Sequence, residues 1–299
     1  MKPFVTPMVE RAFVWACSLV SDGHAGGVIY APTRTGKSTT IELLVTDLRS
    51  FTDSCCESFE SETVAIEAED RLVMSEGGFW EWALRKFEHA QARKHLSPSV
   101  KRDLVYEYVK GLASRSPSGR LIMFVDEAQI LDLTELGWFA DLFNNVRKDG
   151  FEFILILVGS YHLHEWIKEL NGKRHEHVRS RFFAMEHRLT GLISLEDFRR
   201  CLRRFDTDTS AIDGRHSITE HFQPKWFNAG GRLEKRADFI RNGFMEVLGK
   251  PIEAFEVRME YFALAVRYIL RHGEHNCDAT RLAAIINDTG IGIATDVSL

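Results

Sequence analysis

Val28-Ile29-Tyr30-Ala31-Pro32-Thr33-Arg34-Thr35-Gly36-Lys37-Ser38-Thr39 runs from an apolar strand through a short turn into a helix that starts near Lys37. A turn of this make-up binds phosphate. Successive backbone N–H groups and the positive end of the following helix surround the anion, Lys37 reaches the β- and γ-oxygens, and the Ser38 hydroxyl completes a Mg²⁺ shell. The pattern G-x-x-x-x-G-K-[ST] opens here on Ala31 instead of glycine, which the backbone accepts when that residue keeps a negative φ at the strand end. Gly36 stands where the chain must bend tightly against phosphate. The expected nucleotide contacts are Pro32, Thr33, Arg34, Thr35, Gly36, Lys37, Ser38 and Thr39, with ATP and Mg²⁺ as ligands. The helix that follows, residues 39–48, carries Ile41, Leu44, Val45 and Leu48 on one face.

The chain has 299 residues, 44% of them hydrophobic, enough for a full core in one large domain or a domain with an appendage. It has no run of about 18 apolar residues, and Glu10 and Arg11 interrupt its first apolar segment, so the expectation is a cytosolic protein without membrane contact. Five cysteines without a C-x-x-C pair argue against a disulfide framework and a zinc site. No carboxylate or cysteine metal-ligand set accompanies the His162/His164, His175/His177 and His272/His275 pairs, which read as surface or helix-end histidines. The net charge is −5, yet residues 168–204 hold ten basic and five acidic side chains. That asymmetry suits either a polyanion-facing surface or a solvated helix face.

Along the chain, residues 1–27 read as a leading helix capped by Thr6 and closed by Ser21-Asp22-Gly23 and Gly26-Gly27. A polar turn over 49–61 and a strand over 63–68 follow, then helices over 79–95 and 99–113 separated by Leu96-Ser97-Pro98. Leu121-Ile122-Met123-Phe124-Val125 and Phe153-Ile154-Leu155-Ile156-Leu157-Val158 are continuous apolar runs on either side of a helix over 135–148. Strands apolar on both faces belong inside a covered parallel sheet, so the core is α/β and doubly wound. Beyond Leu189 no further strand is expected. Ser194 and Asp197 form a capping box for a helix over 195–205, and helices over 232–248 and 252–271 complete a helical C-terminal part. The expected division is an N-terminal helix (1–27), an α/β core (28–192) and a helical lid (193–299).

Asp126, at the carboxyl end of a buried strand, stands where a carboxylate holds metal-bound water opposite Ser38, and Glu127 beside it can polarise the attacking water. With Val158-Gly159-Ser160, Val178-Arg179-Ser180-Arg181-Phe182 and Gly230-Gly231-Arg232-Leu233 following in order, the sequence resembles AAA+ ATPases. Within that class it is similar to transposon target-selection ATPases of the TnsC and TniB type, through Asp141 to Gly150 and Ser75-Glu76-Gly77-Gly78-Phe79-Trp80. The resemblance implies an AAA+ core with a parallel sheet flanked by helices and a helical lid. It also implies Ser160 at the sensor-1 position, Arg181 or next Arg179 as an arginine finger acting on a neighbour's γ-phosphate, and Arg232 as sensor 2.

The same resemblance implies a ring or helical filament of identical subunits that tracks duplex DNA through its phosphates without reading bases, and that recruits a transposase and a target-selection protein. Arg93, Lys94, Lys101 and Arg102, or Arg199, Arg200, Arg203 and Arg204, are the candidate phosphate contacts, although a solvated helix face is the commoner explanation for each cluster. A nucleotide-gated protein scaffold that binds no DNA is the alternative, and the acidic net charge speaks for it.

Overall fold

The two apolar runs form adjacent central strands, as expected for segments that can be buried on both faces. In a computed structural model, residues 5–48, 60–70, 75–169, 176–210, 212–250 and 255–291 are described. Most of the expected turn over 49–61, the Cys55-Cys56 pair, His175 and Pro251-Ile252 lie outside them.

The described chain contains α1 (Pro7–Ser21), β1 (Gly26–Tyr30), α2 (Lys37–Asp47), β2 (Glu62–Glu67), α3 (Glu76–Lys86), α4 (Pro98–Ala113), β3 (Arg120–Asp126), α5 (Leu133–Lys148) and β4 (Glu152–Gly159). It continues through α6 (Tyr161–Glu169), α7 (Glu176–Phe182), β5 (Glu186–Arg188), α8 (Leu195–Thr207), α9 (Ile218–Phe222), α10 (Pro224–Asn228), α11 (Ala237–Leu248), α12 (Met259–His272) and α13 (Ala279–Asp288). The chain groups into two units. One comprises Ala12–Pro32 and Lys37–Leu189, the other Met1–Arg11, Thr33–Gly36 and Thr190–Leu299.

The first unit is built on a parallel sheet of order β2-β3-β4-β1-β5. Leu121 to Val125 and Phe153 to Val158 are all buried, and a fully buried Leu, Ile, Val or Phe contributes about 1.5–3 kcal/mol each. Phe79, Trp82 and Phe139 pack with them; the Phe79 and Phe139 rings meet edge to face at 5.2 Å. Because all strands run parallel, their carboxyl ends lie on one edge, where Tyr30, Asp126 and Gly159 terminate β1, β3 and β4.

Several boundaries differ from the sequence reading. Gly26 and Gly27 begin β1 instead of closing the helix. A Cβ on Gly26 would stand 2.4 Å from the Leu155 carbonyl oxygen, and one on Gly27 would stand 2.4 Å from Leu19 Cδ1, so packing, not turn formation, requires glycine there. Helix α3 starts at Glu76 because the Ser75 hydroxyl accepts the Gly78 N–H, and it stops at Lys86 before Glu88, which has φ 53°. Pro98 opens α4 at its first turn, where its missing N–H costs nothing. Helices α6, α7, α9, α10 and α13 come without a sequence expectation.

The second unit is helical. The Ser194–Asp197 capping box opens α8 as expected, and Phe198 packs against Phe244, Phe255 and Phe262 with ring centroids 5.5–6.2 Å apart. Helix α12 begins at Met259, not after Pro251, since Val257 instead makes an antiparallel bridge with Leu192. A Cβ on Gly191 would stand 2.3 Å from the Val257 carbonyl oxygen, so glycine permits that approach. Among the described residues no helix is long and apolar enough to cross a membrane, and no group of three His, Cys, Asp or Glu could hold a metal.

Candidate functional site

The loop after β1 ends in α2, whose first residue is Lys37. Ala31 keeps out of the left-handed region, which Arg34 (φ 65°) and Gly36 (φ 102°) occupy. Outside its chain neighbours nothing lies within 4 Å of where a Gly36 Cβ would stand, so it is the φ of 102°, and not crowding, that favours glycine there. Thr35 and Lys37 are buried, whereas Ser38 and Thr39 are exposed at the start of the helix. The Lys37 ammonium donates to the Ala31 carbonyl at 3.4 Å and the Pro32 carbonyl at 3.3 Å. The turn Thr33–Gly36 groups with the helical unit: the Arg34 carbonyl accepts the Glu260 N–H at 3.3 Å, and its guanidinium stands 3.6 Å from the Glu260 carboxylate.

The loop and the acid strand meet. Ser38 Oγ donates to Asp126 Oδ2 at 2.9 Å, and Asp126 Oδ1 accepts the Glu127 N–H at 2.9 Å. A hydroxyl and a carboxylate at one point form an all-oxygen donor set, which suits Mg²⁺. Glu127 is held in the left-handed region, φ 53° and ψ 34°, a conformation that costs a non-glycine residue of order 1 kcal/mol and is common at functional sites.

Gln129 joins this group without any sequence expectation. Its Nε2 donates to Glu127 Oε2 at 2.5 Å, and its Oε1 accepts the Ser160 N–H at 2.9 Å. Ser160 therefore reaches Glu127 through its backbone and Gln129. Its hydroxyl is buried and has no hydrogen-bond partner among the described residues. The one signal in the sequence was the amide two positions after the acid pair, and its meaning depends on β4 lying beside β3.

Arg179 and Arg181 lie on α7, followed by the edge strand β5. Arg179 is exposed, and the Arg181 guanidinium stands 5.7 Å from the Phe143 ring centroid. Arg232, in the helical unit, donates to the Phe227 and Gly231 carbonyls at 2.8 and 2.6 Å and stacks 3.7 Å from the Phe227 ring centroid. Neither arginine of α7 is joined by a described hydrogen bond or ion pair to the Ser38, Asp126 and Glu127 group.

Of the two basic clusters, Lys101 is buried and ion-paired to Glu81, and Arg102 pairs with Glu76 at 3.4 Å. On the outer face of α8, Arg200 pairs with Glu10 and Arg203 with Glu234 at 2.5 Å. Arg199 and Arg204 are exposed and form no ion pair among the described residues.

Residues 21–167, which include the loop, the acid strand and Ser160, match the family model described as AAA domain. That match covers just under half of the chain. Its fold is the AAA+ P-loop α/β fold with a helical C-terminal region. The Aeropyrum pernix ORC2 protein, solved as ADPNP-ADP complexes, is similar with TM-score 0.50 and 12% identity over 97% of this chain and 71% of that one. Domain III of the Thermotoga maritima replication initiation protein DnaA gives TM-score 0.47 and 12% identity over 96% and 95% of the two chains. Cdc6p from Pyrobaculum aerophilum gives TM-score 0.45 and 15% identity over 68% of this chain; the match spans half the length of that protein. At these identities the likeness to ORC2 is one of fold. No curated protein matches the sequence.

Proposed function

We propose that this chain is an ATP-dependent AAA+ regulator that oligomerises on double-stranded DNA and presents its assembly to a transposase and a target-selection protein. The observation that carries the ATPase part is the Ser38–Asp126 hydrogen bond, which brings the phosphate loop and the acid strand to one point inside the AAA domain. In this reading the loop Pro32–Thr39 receives ATP, Lys37 contacts the β- and γ-phosphates, and Ser38 and Asp126 hold Mg²⁺, directly and through water. Bound Mg²⁺ supplies charge neutralisation along the phosphates. Glu127 orients the attacking water, Ser160 occupies the sensor-1 position, and Arg232 is sensor 2.

Arg181, or Arg179, acts on the nucleotide of a neighbouring subunit, which makes the bound triphosphate a joint between copies. ATP then favours assembly and hydrolysis releases it. The division into an N-terminal helix, a core to residue 192 and a lid belongs to this same reading. The transposition part rests on the resemblance of Ser75–Trp80 and Asp141–Gly150, and DNA contact on Arg199 and Arg204, the arginines of α8 that form no ion pair among the described residues.

A second reading, a nucleotide-gated scaffold that binds no DNA, is favoured by the ion pairing of Lys101, Arg102, Arg200 and Arg203 and by the net charge of −5. A gel shift on non-specific duplex with a non-hydrolysable ATP analogue separates the two. Nucleotide-dependent binding that weakens steeply with salt supports the first, and no shift at low salt supports the second. Glu127→Gln is expected to bind ATP, lose turnover and remain assembled; turnover at the wild-type rate would remove Glu127 from its role.

A further inference from the structure

We infer that Gln129 is a positioning residue for Glu127, coupling the orientation of that carboxylate to the end of β4. The inference rests on the ATPase reading above. Its basis is a bridge with two ends: the carboxamide donates to Glu127 Oε2 at 2.5 Å and accepts from the Ser160 N–H at 2.9 Å. The carboxamide supplies both at once, a donor for Glu127 and an acceptor for the Ser160 N–H. A glutamate has no donor for Glu127 at neutral pH, a leucine has neither function, and a reversed carboxamide would set its oxygen against the Glu127 carboxylate and its NH₂ against the Ser160 N–H.

The surroundings are shaped for this side chain. Gly159 ends β4, and a Cβ there would stand 2.4 Å from Gln129 Oε1 and 3.0 Å from Leu163 Cδ2, so the carboxamide occupies the space a side chain would take. The Ser160 hydroxyl is buried and unpartnered among the described residues, so its backbone N–H supplies the link from β4. Glu127 itself sits in a left-handed backbone conformation, and its carboxylate has its Oε2 fixed by Gln129. A shift of Gly159-Ser160 as small as a fraction of an ångström moves Gln129 and with it the base, whereas the metal-side carboxylate Asp126 is held separately by Ser38.

The test compares Gln129→Leu and Gln129→Glu with wild type in steady-state ATP hydrolysis, in binding of a fluorescent ATP analogue, and in amide hydrogen exchange of the peptide containing Ser160. Gln129→Leu is expected to lower kcat about 10- to 100-fold, the scale of a misplaced catalytic group, with the analogue's Kd changed by no more than about twofold. The same variant should expose the Ser160 N–H and speed its exchange. Gln129→Glu keeps an acceptor for Ser160 and so keeps its protection, yet loses kcat comparably because two carboxylates now face each other. In a Glu127→Gln background, Gln129→Leu should cause no further loss of turnover.

A kcat in Gln129→Leu equal to or above wild type, or unchanged Ser160 exchange, overturns the inference while Glu127→Gln remains inactive and the ATPase reading stands. If Gln129→Leu does not fold, undiminished turnover in Gln129→Glu overturns it. A wild-type protein that turns over no ATP removes this inference together with the reading beneath it.

Discussion

The Ser38 hydroxyl donates to the Asp126 carboxylate at 2.9 Å across 88 positions of sequence. This bond ties the first turn of α2 to the end of β3, and it puts a hydroxyl and a carboxylate oxygen in one place. A Mg²⁺ ion binds oxygen at about 2.0–2.1 Å in octahedral geometry, which sets neighbouring ligand oxygens about 2.9 Å apart, the spacing this pair already has. Ser38→Ala and Asp126→Asn are each expected to weaken the Mg²⁺-dependent part of ATP binding by about tenfold, or 1.4 kcal/mol. Titrating a fluorescent ATP analogue with and without Mg²⁺ measures it. Wild-type Mg²⁺ dependence in both variants would remove the pair from the metal role.

Lys37 is buried, and the contacts described for its ammonium are with two carbonyls of its own loop, Ala31 and Pro32. A phosphate offers a charge-assisted partner worth about 1.5–3 kcal/mol more than no partner, so Lys37→Ala should weaken ATP binding about 10- to 100-fold. Calorimetric titration gives the number. A loss smaller than about threefold, on the same energy scale, would mean that the ammonium does not meet the nucleotide.

What the sequence made legible follows the range of the interaction. The buried runs ending at Val125 and Val158, the capping box at Ser194 and Asp197, and the loop around Gly36-Lys37-Ser38 are local patterns, and the structure carries each where its spacing put it. Gln129 was not legible, because its role depends on β3 and β4 lying side by side, which brings Ser160 to its carboxamide. Gly26 and Gly27 read as a turn because glycine is the usual turn residue. Their reason for being glycine is the Leu155 carbonyl on a neighbouring strand and the Leu19 side chain on α1. Helix α12 was begun too early for a similar reason: the apolar periodicity continues through Phe255, but Val257 is committed to Leu192.

The close approach at Gly26 is testable against open glycines in the same protein. A Cβ there would stand 2.4 Å from a backbone oxygen of a paired strand and 3.2 Å from Phe182 Cδ1, with neither free to retreat. Gly26→Ala is expected to destabilise the fold by about 1–3 kcal/mol. Gly111→Ala and Gly137→Ala, in helices α4 and α5 with no atom within 4 Å of the new Cβ, should stabilise it by about 0.5–1 kcal/mol. Urea unfolding of the three variants gives the comparison, and equal midpoints would show that β1 can yield at Gly26.

The Arg11–Asp197 ion pair gives the helical unit a pH dependence of definite sign. Burial pushes the Asp197 carboxyl up, but the Ser194 N–H, the Arg11 guanidinium at 3.0 Å and the Ile193 N–H outweigh it and hold the group below its ordinary 3.8. A carboxylate whose folded pKa is depressed contributes stability that is present above its unfolded value and is lost as pH falls through the folded value. Arg11 is about half exposed, so solvent screens its part, and Arg11→Met should cost about 0.5–1 kcal/mol at neutral pH and low salt. That difference from wild type is expected to persist from neutral pH down to about pH 4 and to vanish below the folded pKa, where Asp197 is neutral and has no charge for Arg11 to meet. Thermal unfolding of both proteins across that range checks it. A gap that persists unchanged below the folded pKa would show that Arg11 stabilises the helical unit by packing its stem and not by its charge.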